Sequence, residues 1–133
     1  MIYKPHPALK FKRILEETNI TSLPSNLITT EQSLLELLPH VTALLYTSSS
    51  SCAEGLATNT PLIHLVSEYG LDEDPLAFIP TARIAVSNEE QLSEAFCHIQ
   101  SNSYKSSQTY ENTNLVFQLL EDISDASYTV FLD

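Results

Sequence analysis

The amino-acid sequence predicts an α/β domain in three layers, with helices on both faces of a mainly parallel sheet of about four to five strands. Short apolar runs alternate with segments of helical periodicity, a pattern typical of strand–helix–strand units. Residues 41–46 form an almost continuous apolar run, as expected for a strand that helices cover on both faces. The length of 133 residues and the hydrophobic fraction of 43% fit one domain with a single core.

The first forty residues are predicted to contain two strands and two helices. Residues 1–3 form the end of a strand that the following prolines stop, and residues 8–17 form a helix. Residues 27–29 form a second short strand. We expect Thr30 to cap the next helix and Pro39 to end it.

The centre of the chain is predicted to contain three further strands. The apolar run 41–46 is the clearest, and a serine-rich turn leads from it into a helix through about Ala57. Residues 61–66 and 83–86 are the other two strands. The acidic, proline-containing stretch 67–80 between them is predicted to be a long loop.

The C-terminal third is predicted to be mainly helical. Ser87 and Glu90 form a capping box for a helix that extends to Ile99. Residues 101–109 are polar and serine-rich, as in a linker, and residues 111–124 repeat apolar side chains at helical spacing. These elements predict one Rossmann-like domain over residues 1–133, with a polar linker at 101–109 to the C-terminal helix.

Charge is distributed unevenly along the chain. The net charge of −11 argues against a nucleic-acid-binding surface, which needs a basic patch. Four of the six basic residues precede the first acidic residue, Glu16; they are Lys4, Lys10, Lys12 and Arg13. This cluster could concentrate an anion near the start of the chain. The alternative for the last three is a solvated helix face.

The two cysteines and the hydropathy pattern restrict the cellular setting. Cys52 and Cys97 are too few for a disulfide framework and their spacing suggests no metal site, so we expect two reduced thiols that are at least half buried. No apolar run approaches the roughly 20 residues of a membrane-spanning helix, and the start does not resemble a signal peptide. We therefore expect a cytoplasmic protein.

A run of serines is the first candidate site. Ser48, Ser49, Ser50 and Ser51 lie between the clearest strand and its helix, where ligands bind in open α/β sheets. Hydroxyls and unpaired helix N–H groups at that place favour phosphate. The alternative is ordinary capping, since Ser51 and Glu54 are spaced as a capping box. Glu54 could instead reach ribose hydroxyls.

Pro5-His6-Pro7 is the second candidate site. The two prolines fix φ and bias their neighbours away from helix, so the imidazole of His6 extends from a stiff loop at a strand end. Beside Lys4, His6 could neutralise a departing phosphate or act as its general acid. The alternative is a structural histidine.

Other polar residues receive a structural interpretation. His64 lies inside an apolar strand and is predicted to be a core residue. The stretch Asp72-Glu73-Asp74 could suggest a metal site or a catalytic base, but a solvated acidic loop is favoured. With two glycines only, Gly55 and Gly70, the chain lacks the glycine-rich dinucleotide and P-loop motifs.

Two segments resemble a known family. Lys4-Pro5-His6-Pro7 resembles the HP motif, and Ser48-Ser49 the downstream Ser/Ser-Thr motif, of bacterial GT-B glycosyltransferases with cytidine-nucleotide donors. These are the sialyltransferase and polysialyltransferase families and their capsule-synthesis relatives. The serine turn followed by Glu54 and Pro61 is also similar to the broader GT-B signature. The resemblance covers about residues 2–66.

The resemblance implies roles for the candidate residues. The donor phosphate would be held by the cationic and hydroxyl residues Lys4, His6, Ser48, Ser49 and Ser50. His6 would be catalytic by stabilising the leaving CMP, and Glu54 would bind ribose. The donor, a CMP-linked sugar such as CMP-sialic acid, is a substrate, and neither a metal nor another cofactor is implied.

The chain also departs from the family pattern. A GT-B enzyme has two Rossmann-like domains, and in sialyltransferases of this type the catalytic base belongs to an acidic motif ending in glycine on the first of them. Asp72-Glu73-Asp74 differs in position and lacks that glycine. We therefore expect a donor-binding half, truncated at its N-terminus, that does not catalyse transfer alone.

The expected function is the donor-binding half of a glycosyltransferase in surface polysaccharide or lipooligosaccharide synthesis, with peripheral association at the inner membrane left open. One alternative is a non-catalytic Rossmann-like module that dimerises through an exposed sheet edge or apolar surface. Another is a fragment of a CMP-Kdo, CDP-glycerol or UDP-sugar enzyme. The expected partners are the nucleotide-sugar donor and either a second copy or a missing N-terminal acceptor domain, without nucleic acid.

Overall fold

A computed structural model describes residues 1–5, 11–67 and 74–101 of the chain. Strands and helices alternate within these ranges. In chain order they are β1 (Ile2–Tyr3), α1 (Phe11–Glu17), β2 (Ile28–Thr29), α2 (Leu34–Leu37), β3 (Leu44–Tyr46), α3 (Ser51–Ala57), β4 (Leu62–Leu65), β5 (Ile84–Val86) and α4 (Glu89–Gln100). The predicted α/β class is confirmed.

The five strands form two small parallel sheets. β1 pairs with β2, so that Ile2 lies opposite Ile28. The second sheet has the order β3-β4-β5, in which Leu44 lies opposite Leu62 and His64 opposite Ala85. Every predicted strand is present in shorter form, and all pairings are parallel, as in a Rossmann-like fold. The strands differ from the prediction in forming two sheets of two and three strands within the described residues, not one sheet of four to five.

The three-stranded sheet is the centre of a three-layer arrangement. Side chains along β4 alternate between its faces, because Leu62 packs into one core cluster and Ile63 into the other. On one face α3 and the segment 74–82 form a buried cluster of Tyr46, Cys52, Leu56, Leu62, Leu76, Ile79 and Ala82. On the other face α4 covers the sheet through Ile63, Val86, Ala95 and Ile99. Burying each large side chain contributes about 1.5–3 kcal/mol relative to exposure.

Helix α3 packs very closely on the sheet at Gly55. A Cβ atom at this position would lie 2.5 Å from Leu62 Cδ2 and 3.0 Å from Leu44 Cδ2. Only a residue without a side chain therefore fits between α3 and strands β3 and β4 without displacing them.

The start of α2 differs from the prediction. Ser33, not Thr30, is the N-cap: its hydroxyl accepts from the Glu36 N–H at 3.3 Å, and the Glu36 carboxylate accepts from the Ser33 N–H at 2.9 Å. A capping box needs a Glu or Gln three residues after the cap, and Ser33 has one whereas Thr30 does not. The α-helix does end next to Pro39, since Leu38 is its C-cap, and Leu38–His40 then form a 3₁₀ turn whose early positions tolerate proline.

The start of α4 is shifted by one residue from the predicted cap. Asn88 is the N-cap, and its side-chain oxygen accepts from the Gln91 N–H at 2.9 Å. The Gln91 side chain accepts in turn from the Ser87 N–H at 2.8 Å. The predicted Ser87–Glu90 box is therefore wrong, because asparagine competes well with serine as a cap.

Two helices end in the same way, at an asparagine with φ near 55°. Asn19 follows α1 and Asn59 follows α3, and both occupy the left-handed region. After α3, the Thr60 N–H donates to the Gly55 carbonyl at 2.9 Å, which satisfies one of the final carbonyls of the helix. Asparagine tolerates this conformation better than most residues other than glycine.

The C-terminal predictions fall largely beyond the described part of the chain. The linker predicted at 101–109 lies outside it apart from Ser101, which ends α4, and the helix predicted at 111–124 lies outside it entirely. Among the helices of the described residues, none has the length and apolar character needed to cross a bilayer.

Candidate functional site

The serine turn, residues 48–51, joins the carboxyl end of β3 to the start of α3. Ser48 and Ser50 are exposed, whereas Ser49 and Ser51 are partly buried. The hydroxyls of Ser49 and Ser51 are hydrogen-bonded at 2.7 Å, and Ser49 Oγ also accepts from the Ser51 N–H at 3.3 Å. The turn thus has an internally ordered pair of hydroxyls and two hydroxyls facing solvent.

The serine turn is not a capping box. Ser51 is already the first residue of α3, and Ser50 is the N-cap, with φ −61° and ψ −12° and no side-chain cap hydrogen bond. These helical dihedral angles differ from the extended conformation in which a cap side chain reaches back to the first N–H groups. The structural alternative for Ser51 and Glu54 is therefore wrong, and Glu54 is exposed in the first turn of the helix.

The length of α3 reduces one argument for phosphate at this turn. The helix has seven residues, about two turns, so few peptide dipoles add along its axis. An anion bound here would depend chiefly on hydroxyls, backbone N–H groups and nearby cations.

Of the predicted cations that the structure describes, none forms a hydrogen bond or ion pair with the serine turn. Lys4 is partly buried just after β1, in the other sheet, and no hydrogen bond or ion pair joins it to the turn among the described residues. His6 lies outside the described residues, as does Lys10. Arg13 is exposed on α1 and its Nε donates to Glu17 at 2.6 Å, which supports the interpretation of a solvated helix face.

A buried charged cluster lies beside the serine turn, and the sequence did not predict it. Its members are Tyr46, His64, Asp74 and Arg83, called the Asp74 cluster below. Asp74 Oδ1 accepts from the Tyr46 hydroxyl at 3.0 Å and from the Leu76 N–H at 3.0 Å. Asp74 Oδ2 forms an ion pair with Arg83 Nε and lies 3.6 Å from His64 Nδ1. The Tyr46 and His64 rings lie side by side, with centroids 5.1 Å apart.

The position of Asp74 corrects the prediction of a solvated acidic loop. The residue is 8% exposed, and it begins a segment that packs against the sheet through Leu76. A carboxylate is stable at such a place only when donors and a countercharge surround it, as they do here. Asp72 and Glu73 lie outside the described residues. The prediction that His64 is a core residue is confirmed.

The cluster controls the ionisation of its neighbours. Burial, and then the hydrogen bond and charge of Asp74, hold the pKa of the Tyr46 hydroxyl far above its usual range, so Tyr46 remains a proton donor. Burial, and then the charge of Asp74, raise the pKa of the Cys52 thiol to about 11. Cys52 is therefore an unreactive neutral thiol, and it is buried as expected, whereas Cys97 is exposed.

A signal for the Asp74 cluster was present in the sequence. Tyr46 and His64 are polar side chains in otherwise apolar strands, and they become register partners when β3 pairs with β4. Arg83 directly precedes the next strand of the same sheet. A cation that enters a sheet core needs an anion, which the acidic residues of the intervening loop could supply.

Within the described residues there is no group of three or more His, Cys, Asp or Glu side chains that could hold a metal ion. Compared with protein-family models, with curated proteins and with solved structures, the chain gives no match.

Proposed function

We propose that the chain is the donor-binding half of a glycosyltransferase that uses a CMP-linked sugar, such as CMP-sialic acid, in surface polysaccharide or lipooligosaccharide synthesis. The observation that carries the proposal is the serine turn at the carboxyl end of a parallel strand, with Ser48 and Ser50 exposed. Ligands of open α/β sheets bind at this edge.

The chemistry proposed at the turn is phosphate recognition. Ser48, Ser49 and Ser50 supply hydroxyl donors, and the bond between Ser49 and Ser51 orders part of the turn before a ligand arrives. In a chain with a net charge of −11, the positive charge that the phosphate needs would come from His6 and from Lys4, although Lys4 forms no hydrogen bond or ion pair with the turn in this structure.

The proposed roles of His6 and Glu54 follow from the course of the transfer reaction. As the acceptor displaces CMP from the anomeric carbon of the sugar, negative charge develops on the departing phosphate, and protonated His6 would stabilise it. Glu54, exposed one turn into α3, would accept hydrogen bonds from ribose hydroxyls. Transfer itself would require a second domain that supplies the acceptor and the catalytic base.

Titration of CMP into the purified chain, followed by calorimetry or NMR, tests the proposal. We expect binding in the millimolar range or tighter, and about tenfold weaker binding in His6→Ala and in Ser48→Ala, since a hydrogen bond to a charged group is worth about 1.5–3 kcal/mol. Ser93→Ala removes an exposed hydroxyl on α4 and is the matched control. Absence of binding at millimolar CMP, or binding unchanged in His6→Ala, would contradict the proposal. Competition between CMP and UMP shows whether the site prefers cytosine or uracil.

A second candidate function is supported by the open face of the two-stranded sheet. α1 contacts one face, where the Tyr3 and Phe11 rings lie 4.8 Å apart. On the other face Ile2 is 41% and Ile28 58% exposed. Parallel sheets are normally covered on both faces, so this pair is a candidate surface for a partner.

In this alternative the chain is a non-catalytic module and the partner is a second copy. A two-fold axis would bring the same apolar pair of each chain together, as in most homodimers. Sedimentation or light scattering should then show a dimer. Ile28→Lys should disrupt this dimer, and added CMP should not change its amount. Leu35→Lys, at an exposed apolar residue outside this pair, should leave the dimer intact. A monomeric wild-type chain at high concentration would exclude this candidate.

A further inference from the structure

We propose that Asp74 is a positioning residue for the serine turn, holding the strand-side flank of the turn in the core through its hydrogen bond with Tyr46. The inference rests on the proposed function of that turn as a phosphate site. It assigns a role to a buried group that the predicted site did not include.

The serine turn is a short exposed segment between two buried anchors. Tyr46 precedes the turn by two residues and is 4% exposed, and Cys52 directly follows it and is 1% exposed. Both side chains belong to the same core cluster, which they share with Leu62. The path of the turn is therefore fixed by how firmly these two anchors are held.

Asp74 is hydrogen-bonded to one of these two anchors. Its Oδ1 accepts from the Tyr46 hydroxyl at 3.0 Å, on the strand side of the turn. On the helix side, Cys52 packs in the same core cluster as Tyr46, and the charge of Asp74 adds to burial in raising the pKa of its thiol. The carboxylate thus binds one anchor of the turn directly, and that anchor packs in one cluster with the other.

The carboxylate is itself held from three other directions. Arg83 Nε pairs with Oδ2 from the start of β5, and His64 Nδ1 lies 3.6 Å from the same oxygen. The Leu76 N–H donates to Oδ1 at 3.0 Å from the segment that covers the sheet. Because these groups come from β4, β5 and the covering segment, the Tyr46 hydroxyl is anchored to the whole three-stranded sheet.

Positioning matters for a phosphate site because its donors must already be oriented when the ligand arrives. Side chains that support a binding site from behind keep it within about 0.5 Å of the productive geometry. Loss of the Tyr46–Asp74 hydrogen bond leaves the ring in the core but removes the bond that holds its outer end in place. We expect the adjoining turn to sample more conformations and to bind phosphate less well.

The test compares wild type, Tyr46→Phe and Asp74→Asn with the control Ile99→Val, a conservative change in the core on the opposite face of the sheet. Amide exchange of residues 47–51 is expected to rise about tenfold in Tyr46→Phe, which loses one charge-assisted hydrogen bond, while α4 is unchanged. The Kd for CMP should increase at least about threefold in Tyr46→Phe. Ile99→Val should show neither effect, although it also lowers global stability.

The outcomes separate this inference from the proposed function. If wild type does not bind CMP, the proposed function fails, and the exchange of residues 47–51 alone decides whether Asp74 orders the turn. If wild type binds CMP, an unchanged Kd in Tyr46→Phe overturns the inference. Faster exchange of the turn in Ile99→Val, equal to that in Tyr46→Phe, also overturns it, because the effect would then be global. Should Asp74→Asn not fold, Tyr46→Phe provides both measurements.

Discussion

At the scale of single residues, Asp74 and Arg83 form an ion pair in surroundings from which water is largely excluded. The Arg83 side chain is 12% exposed and the Asp74 side chain 2%. Removing two charges from water costs several kcal/mol per ion, and their attraction offsets this only with good geometry and further hydrogen bonds. Asp74 has those bonds from Tyr46 and Leu76.

We expect Arg83→Met to lower the free energy of unfolding by about 3–5 kcal/mol, because it leaves the Asp74 carboxylate buried without its countercharge. The double variant Asp74→Leu/Arg83→Met should recover most of this loss, since it removes both charges. Urea denaturation of the two single variants and the double variant gives the coupling energy. Additive losses would show that the two side chains do not act as a pair.

The pKa of the Cys52 thiol links stability to alkaline pH. Burial and then the charge of Asp74 raise this pKa to about 11, whereas the thiol of the unfolded chain ionises near 8.5. Between these values the unfolded state binds fewer protons than the folded state, so the free energy of unfolding falls as the pH rises from about 9 to about 11. The raised pKa of Tyr46 acts in the same direction at slightly higher pH.

Urea denaturation midpoints measured from about pH 8 to about pH 10.5 check this expectation, because this interval covers most of the range between the unfolded and folded thiol pKa values. Cys52→Ala should reduce the change of the urea midpoint with pH, and Cys97→Ala, at an exposed thiol, should leave that change as it is in wild type. Alkylation at mildly alkaline pH should modify Cys97 in the folded protein and Cys52 only after unfolding. Rapid labelling of Cys52 in the native state would contradict its burial.

At the scale of elements, the contact between α3 and the sheet depends on Gly55. Alanine favours a helix over glycine by about 1 kcal/mol, so an exposed site would gain stability from Gly55→Ala. Here the added methyl would lie 2.5 Å from Cδ2 of Leu62, which is fully buried and would have to shift. Overpacking of this kind costs about 1–3 kcal/mol, so we expect a net loss of about 1 kcal/mol.

Thermal unfolding of Gly55→Ala and of Gly55→Ala/Leu62→Val measures this effect. The second change removes a methyl group from the residue that the new Cβ would meet, and the double variant should be less destabilised than the sum of the two single variants. A Tm above that of wild type in Gly55→Ala would show that α3 can move away from the sheet without loss.

The element-scale predictions succeeded where hydrophobicity decided the outcome and were less accurate where hydrogen bonding did. Runs such as 61–66 can be buried only as a covered strand, and that strand is β4. Helix caps depend on competition among neighbouring polar residues. Ser87 and Asn88 are adjacent and both can cap, and only the position of Gln91 favours Asn88 in the folded chain.

The candidate site was predictable only in part, for the same reason. The serine turn follows from the position of an apolar strand, which local sequence shows. In the Asp74 cluster the hydrogen bond between Tyr46 and Asp74 joins residues 28 positions apart, and no local pattern distinguishes Asp74 from the two acidic residues before it. Only the pairing of β3 with β4 brings Tyr46 beside His64. The polar groups gathered there, with Arg83, then require one buried carboxylate.

At the scale of the whole molecule, the net charge of −11 opposes the compact state. The outer face of α4 contributes to it through the exposed residues Glu89, Glu90 and Glu94. Salt screens repulsion between such exposed charges but has little effect on a buried pair such as Asp74 and Arg83.

We therefore expect the Tm to rise by a few degrees when the NaCl concentration is raised from about 0.01 M to about 0.15 M, over which the screening length falls from about 30 to 8 Å. Glu90→Gln/Glu94→Gln should raise the Tm at low salt and reduce the salt effect. A Tm that falls with salt would mean that attractive surface pairs such as Arg13–Glu17 outweigh the repulsion.

The order β3-β4-β5 has a consequence for how the chain acquires its structure. Each strand of this sheet lies beside the strand that precedes it in the chain, so β4 can join β3 after closing a loop of fewer than twenty residues. Contacts of such short sequence separation favour rapid folding. As the chain leaves the ribosome, the sheet can grow strand by strand, and Arg83 reaches Asp74 only when β5 arrives. The ion pair therefore cannot form before Arg83 has been synthesised, and until then Asp74 is a charge that keeps its segment in water.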